Sequence, residues 1–495
     1  MKETKHPEWA LKHKRSGTEL KVINGRYYLY DVKSVYDKTL KRSKKVSGGI
    51  LGSITEEEGF KPSEKRLLKE KSNKSYLDKS IMSFEYGYAK WLLTTMEENG
   101  MLNDLKEHFP SLWQFIIGMI YCRTAYRSPL KNIPFYLSQS SIMELIDWKE
   151  KLSDQKLSDA LFQLGKQTRA IHDFMKPTNH NGKTILMDAT DIALQSNNIS
   201  LAQKGYNANM DFQPQFVLLY LYDAQSLSPV YYRLLPGNIR EISAMKNTIR
   251  MAGMEACTFI ADKGFFSEGN ITELEGLDMK YIIPLRRDNK QLDYSKLEKI
   301  EQTNNYFEHE GRFVFYAETQ KQEHRNIDLF LDGKLKEQEK SDYLTRIRTV
   351  PESYSKDKFN EKVKSMGTLA LMHNTNFASE KVYAEYKNRG AIEQLFDHLK
   401  NTIDASSSNM QREESLNGWM FINHLSMKII YQLFMILKTT PMNKKQMLNH
   451  KYSINDSIQY LKSIQKIQFG KNEYVITEQN KTTKTLLEKM NISIT

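Results

Sequence analysis

The sequence predicts an α/β protein, with a core over residues 180–440 flanked by a basic β module and a helical domain. Three observations carry that expectation. Short apolar, β-rich runs alternate with amphipathic helical stretches from Thr184 onward. The first 70 residues are basic and contain a hairpin signature. The stretch between them repeats apolar residues at helical spacing. A chain of 495 residues exceeds one ordinary domain, so two to four domains are expected.

Within residues 1–70, ELKVI and RYYLY flank Asn24-Gly25, a dipeptide that suits a two-residue hairpin turn. KTLKRSKK follows and is expected as a basic loop; Lys41, Arg42, Lys44 and Lys45 are its candidate DNA contacts, a solvated loop being the plainer reading. Residues 75–178 are expected to be helical, from SIMSFEYGYAKWLLTTMEENG and FPSLWQFIIGMIYCRTAYR, without a clear helix-turn-helix.

KTILMDATDIALQS, FQPQFVLLYLYDA and SPVYYRLLPGN then suggest three strands. REISAMKNTIRMAGM suggests a helix, CTFIADKGF a strand, FSEGNITELEGL a helix and YIIPLRR a strand. That order is the one expected of a ribonuclease H-like core, although pieces of it recur in other α/β folds. The core is thus expected in two parts, 180–288 and 367–440. A polar, β-rich insertion over 289–366 separates them, and a helical region over 441–495 follows. TLALMHN is the next strand, and one continuous helix is expected from Ser379 to Asn401, with further helices near 416–438 and 453–465. The apolar stretch from Trp419 contains Asn423, His424 and Lys428, which fits a buried helix better than a membrane span.

Composition narrows the function. Lys and Arg number 72 against 60 Asp and Glu, a formal charge of +12, which suits a polyanionic partner such as nucleic acid or serves solubility alone. Two cysteines cannot staple a chain of this length, and the charged N-terminal stretch lacks the apolar run of a signal peptide, so a reducing, cytoplasmic setting is expected.

Two acids stand out because each follows an apolar run that should be buried: Asp188 after Ile185-Leu186-Met187, and Asp262 after Thr258-Phe259-Ile260-Ala261. A buried ionised carboxylate is costly unless paired or bound to a cation. Asp191 is the rival for the first position, on the opposite face of an extended strand. In AEYKNRGAIEQLFDHLKN, Tyr386, Arg389, Glu393, Asp397 and Lys400 fall within roughly 80° of one helix face at 100° per residue. By itself that face reads as a solvated row of i,i+4 ion pairs.

Together these residues resemble a known family. Tyr386-x2-Arg389-x3-Glu393-x6-Lys400 is similar to the Y-R-E-K signature of DDE transposases in the insertion sequence 4 superfamily. Asp188-Ala189-Thr190 resembles its first Asp motif and Asp262-Lys263-Gly264-Phe265-Phe266 its second, with Lys263 where Arg is frequent. The resemblance implies a ribonuclease H-like fold, with Asp188, Asp262 and Glu393 as catalytic residues and ligands to two Mg²⁺ ions, for which Mn²⁺ substitutes. Tyr386, Arg389 and Lys400 would bind DNA phosphates. It also implies double-stranded DNA as partner, both transposon terminal repeats and target, and a homodimer in the synaptic complex. Two ions about 3.5–4 Å apart would suit in-line phosphodiester cleavage. A nuclease without strand transfer and a domesticated DNA-binding protein are the alternative readings.

Overall fold

The computed structural model describes residues 6–37, 42–64, 81–176, 182–196, 198–205, 212–225, 228–238, 241–254, 257–276, 278–322, 324–390, 393, 407–470 and 473–494. Two compact units result: residues 1–84 with 466–476, and residues 85–465 with 477–495.

The first unit holds a four-stranded antiparallel sheet, β1 (Thr18–Ile23), β2 (Arg26–Asp37), β3 (Arg42–Thr55) and β4 (Gly59–Pro62), in that order. Asn24 and Gly25 take φ of 48° and 77° between β1 and β2, the left-handed pair that a tight hairpin of this twist requires. Ala10, Leu20, Leu29 and Ile54 form its small core. Beyond that core β2 and β3 run on as a two-stranded ribbon, Val32–Asp37 against Arg42–Ser47, and β3 is exposed from Arg42 to Ile50. Arg42, Lys44 and Lys45 therefore lie on a strand rather than on the expected loop; Lys41 is outside the described residues. The pairing jumps between Tyr30↔Ile50 and Val32↔Ser47. Gly48 and Gly49 are the extra residues, and such a bulge bends a ribbon. The unit also contains β5 (Ile81–Glu85), a strand within the stretch expected as helical. It pairs with a hairpin formed by Gln465–Phe469 and Glu473–Ile476, where a wholly helical C-terminal region was expected. Period-2 alternation over so few residues leaves a weak trace in the sequence.

The second unit is mixed α/β around one large sheet. Its strands are β6 (Thr184–Leu194), β7 (Gln203–Lys204), β8 (Pro214–Asp223), β9 (Ser228–Pro236), β10 (Thr258–Ile260), β11 (Lys280–Leu285), β12 (Tyr306–His309), β13 (Arg312–Gln322), β14 (Arg325–Asp332), β15 (Thr368–His373) and β16 (Ser407–Ser408). β9-β8-β6-β10-β11 lie side by side. β9, β8 and β6 are antiparallel in turn, while β10 is parallel to both β6 and β11. This arrangement is consistent with a ribonuclease H-like core. The next strands, β15, β14, β13 and β12, extend the same sheet beyond β11 with antiparallel pairing throughout. Residues 289–366 thus add strands to the main sheet. They also contain the helices Gly333–Thr349 and Lys356–Lys362, which the polar sequence hides. In the longer one only Tyr343 is buried, so it has no apolar stripe; its start is marked by the Asp332 carboxylate, which accepts the Leu335 N–H at 2.9 Å.

Helices Gly87–Glu98, Met101–His108, Trp113–Tyr126, Asp154–Lys166 and Thr168–Met175 make the helical part. The central helix is Glu413–Thr439. It is long and apolar enough to cross a membrane by length and composition, and 72% of its most apolar window is buried inside the protein. It packs against Asp154–Lys166 with Gly165 and Gly418 at the crossing. It also lies against the sheet: the Tyr220 hydroxyl on β8 is 2.6 Å from His424 Nδ1. Full burial drives the His424 imidazole well below its usual pKa, so it is held neutral there.

Candidate active site

β6 opens with Thr184, Ile185, Leu186 and Met187, all buried, and its register then brings Asp188 opposite Tyr220 on β8. Paired residues of antiparallel strands project to one face, so Asp188 shares the sheet face on which Tyr220 meets the central helix. Asp191, three residues on, is opposite Val217 and points the other way; Gln215 donates to its carboxylate at 3.3 Å. β10 pairs with β6 through Thr258↔Thr184, Phe259↔Ile185 and Ile260↔Leu186. Continued two residues, that register sets Asp262 level with Asp188. The chain leaves β10 there and Asp262 begins the short turn Lys263–Phe265. Ligand-binding groups of α/β sheets gather where parallel strands end in this way.

The third element departs from the single helix expected over Ser379–Asn401. The helix ends at Lys387, Asn388 and Arg389 form a turn, and Gly390 and Glu393 are helical. Lys400, Asp397 and His398 lie outside the described residues. Among the described residues, none approaches Gly390 closely: a Cβ there would meet nothing within 4 Å.

Arg389 joins the three acids. Its Nη2 lies 3.0 Å from Asp188 Oδ2, its Nη1 2.9 Å from Glu393 Oε1, and the same Nη1 3.8 Å from Asp262 Oδ1. The i,i+4 pair with Glu393 is the one the helix pattern suggests; the bridges to Asp188 and Asp262 depend on the fold. Arg389 and Asp188 are mostly buried, at 16% and 17% side-chain exposure, while Glu393 is exposed at 61%. Burial pushes the Asp188 carboxyl above the usual carboxylate range, although Arg389 and the Ala189 N–H, which donates to it at 2.9 Å, pull the other way. Burial also opposes the charge on Arg389, but its acidic neighbours outweigh it and hold the guanidinium above its ordinary pKa. Tyr386 borders the same group: burial raises its phenol, among the charges of Arg389, Asp262 and Glu393.

Carboxylate oxygens are the donors that Mg²⁺ and Mn²⁺ prefer, and the cluster already accommodates one cationic group. The donor set therefore fits divalent cations. As placed, with the guanidinium between them, the acids are not a finished cage: among the described residues, no three His, Cys, Asp or Glu side chains stand close enough together to hold an ion.

The sheet, consistent with a ribonuclease H-like core, carries acids at the end of the paired stretch of its parallel strands β6 and β10. The comparisons with known proteins give the family. The transposase DDE domain model matches residues 179–427, just over half of the chain, and the chain belongs to that family. Among solved structures it is similar to a piggyBac transposase, determined by cryo-electron microscopy as a synaptic complex with hairpin DNA. That similarity has 10% identity and a TM-score of 0.38, and it covers 70% of this chain and 69% of that one. No curated protein matches in sequence.

Proposed function

We propose that this DDE transposase is of the insertion sequence 4 type, cutting DNA at transposon ends and joining the freed 3′ ends to target DNA. The observation that carries the reading is the gathering of Asp188, Asp262 and Glu393, from three separate stretches of chain, around one guanidinium. Such a placement needs a reason other than stability, since converging carboxylates repel.

Asp188, the most buried of the three acids, would hold the divalent ions together with Asp262 and Glu393. When bound, the ions activate the attacking oxygen and offset charge on the leaving oxygen. Tyr386, Arg389 and Lys400 would grip the DNA backbone beside the scissile bond, Arg389 with the two-pronged geometry suited to phosphate. These contacts fix register without reading sequence. The working assembly would be a homodimer holding two ends, acting in the bacterial cytoplasm. The test is incubation with labelled candidate ends and Mg²⁺. Nicked or hairpin ends and joined products are expected; cleavage without joined products would leave a nuclease, and no cleavage a DNA-binding protein.

The basic ribbon of the first unit is the second DNA contact in this reading. Lys33, Arg42, Lys44 and Lys45 face Asp37 as the lone acid on its described outer part, Val32–Asp37 with Arg42–Ser47. A two-stranded ribbon has the width of a DNA major groove. Changing Arg42, Lys44 and Lys45 together to Ala is expected to flatten the plot of log affinity against log salt by about 0.9 per lost phosphate contact. An unchanged slope would remove the ribbon from the interface.

A further inference from the structure

The guanidinium of Arg389 stands where the proposed reading requires cations. Three carboxylates share it, two at hydrogen-bonding distance and Asp262 at 3.8 Å. We propose that Arg389 is the resident counter-ion of this acid cluster, and that divalent cations enter only by displacing it. The inference rests on the reading of Asp188, Asp262 and Glu393 as the cation-holding groups, and adds a gate to it.

Two independent features support the exchange. The first is the bond pattern. A planar guanidinium offers separate N–H groups in a fixed fork, so one residue spans acids on different elements. Here one prong takes Asp188 and the other takes Glu393 and Asp262. An ammonium in the same place would be a single point charge. With Arg389 seated, one positive charge offsets part of the negative charge of the three carboxylates; once it leaves, that charge is uncompensated, the condition that draws in a divalent cation.

The second feature is the backbone. Arg389 sits in the turn that interrupts the helical run, between Lys387 and Gly390. A residue in the body of a helix is held by the ladder on both sides, whereas one at a break followed by glycine can change its backbone torsions at low cost. Among the described residues, an added Cβ at Gly390 would touch nothing within 4 Å, so none of them packs against this point of the turn. A glycine here costs helix stability and at the same time lowers the cost of changing the backbone torsions of this turn.

The consequence is competition. A cation that must first evict a bound group has an apparent affinity reduced by the population of the open state. Arg389→Met keeps the bulk of the side chain and deletes its charge. It is expected to tighten Mn²⁺ binding, measured on the full chain without DNA from the free-ion paramagnetic signal, by roughly 5- to 150-fold. Arg389→Lys should fall between it and wild type. The same exchange is visible without any substitution: adding Mg²⁺ to the wild-type chain should raise the rate at which phenylglyoxal modifies Arg389, read by mass spectrometry against the other arginines. Equal Mn²⁺ affinity in wild type and a folded Arg389→Met, or Arg389 reactivity indifferent to Mg²⁺, would overturn the gate. A different result tells against the underlying reading: Mn²⁺ binding that is the same in wild type and Asp188→Asn would mean that these acids do not hold the ion at all.

Discussion

Asp188→Asn, Asp262→Asn and Glu393→Gln are each expected to lower strand cleavage by roughly a thousandfold or more while leaving affinity for DNA ends within a few fold. The size follows from what a bound cation contributes to a charged transition state, several kcal/mol, and from the conversion of about 1.4 kcal/mol per factor of ten. Each substitution keeps the outline of the side chain and removes one negative charge, so the loss falls on cation binding more than on packing. The effect should be steepest at Asp188, which is the most buried of the three. Asp191→Asn supplies the control. Its side chain lies on the other face of β6 near Gln215, and cleavage by this variant should stay near wild type. The measurement is single-turnover cleavage of a labelled end with Mg²⁺, alongside a binding titration. Wild-type cleavage by any of the three variants would end the assignment, and a large loss in Asp191→Asn would transfer the first position to that residue.

The largest effect on stability is expected at Gly165. A Cβ on this residue would lie 1.6 Å from the Glu414 carbonyl oxygen, 2.5 Å from its carbon and 2.8 Å from the Gly418 nitrogen. A Cβ on Gly418 would in turn come within 2.4 Å of the Leu161 oxygen. The helices Asp154–Lys166 and Glu413–Thr439 therefore meet backbone to backbone, and only glycine fits. Backbone cannot swing aside as a long side chain can, so Gly165→Val must push the helices apart and loosen Leu157, Leu161 and Leu164, all buried on the shorter helix. A cost at or above the usual overpacking range, about 3 kcal/mol, is expected in urea or thermal unfolding. Gly269→Ala is the matched control: it lies inside the helix Glu268–Gly276 with nothing within 4 Å of the added carbon among the described residues, and a gain of about 0.5–1 kcal/mol is expected. A Gly165→Val chain as stable as wild type would mean that the crossing is not close-packed. Activity should fall with stability here, because Glu413–Thr439 also supports Tyr220 through His424, beside the strand position of Asp188.

How far the sequence reached depended on how strongly burial had marked it. β6, β8, β9 and the helix Glu413–Thr439 are legible because long apolar runs record full burial. The helix Gly333–Thr349 was not, since a helix that buries only Tyr343 needs no apolar stripe. The hairpin around Gln465–Phe469 and Glu473–Ile476 is too short to leave a clear alternation. The ribbon that carries Arg42, Lys44 and Lys45 reads as a loop because both its faces are exposed, so the usual alternation of apolar and polar residues has no reason to form.

The candidate site divides in the same way. Asp188 and Asp262 announce themselves as acids ending apolar runs, and the i,i+4 spacing of Arg389 and Glu393 is visible on the page. Those are local facts, set by chemistry over a few residues. That the two strands are parallel neighbours, in a register that levels Asp188 with Asp262, is a long-range fact that only the folded sheet decides. The break at Asn388 and Arg389, which turns one guanidinium toward all three acids, likewise depends on what surrounds the turn. Residue types and local periods are written along the chain, whereas convergence depends on contacts between segments up to two hundred residues apart, and those are chosen by the packing of the whole core.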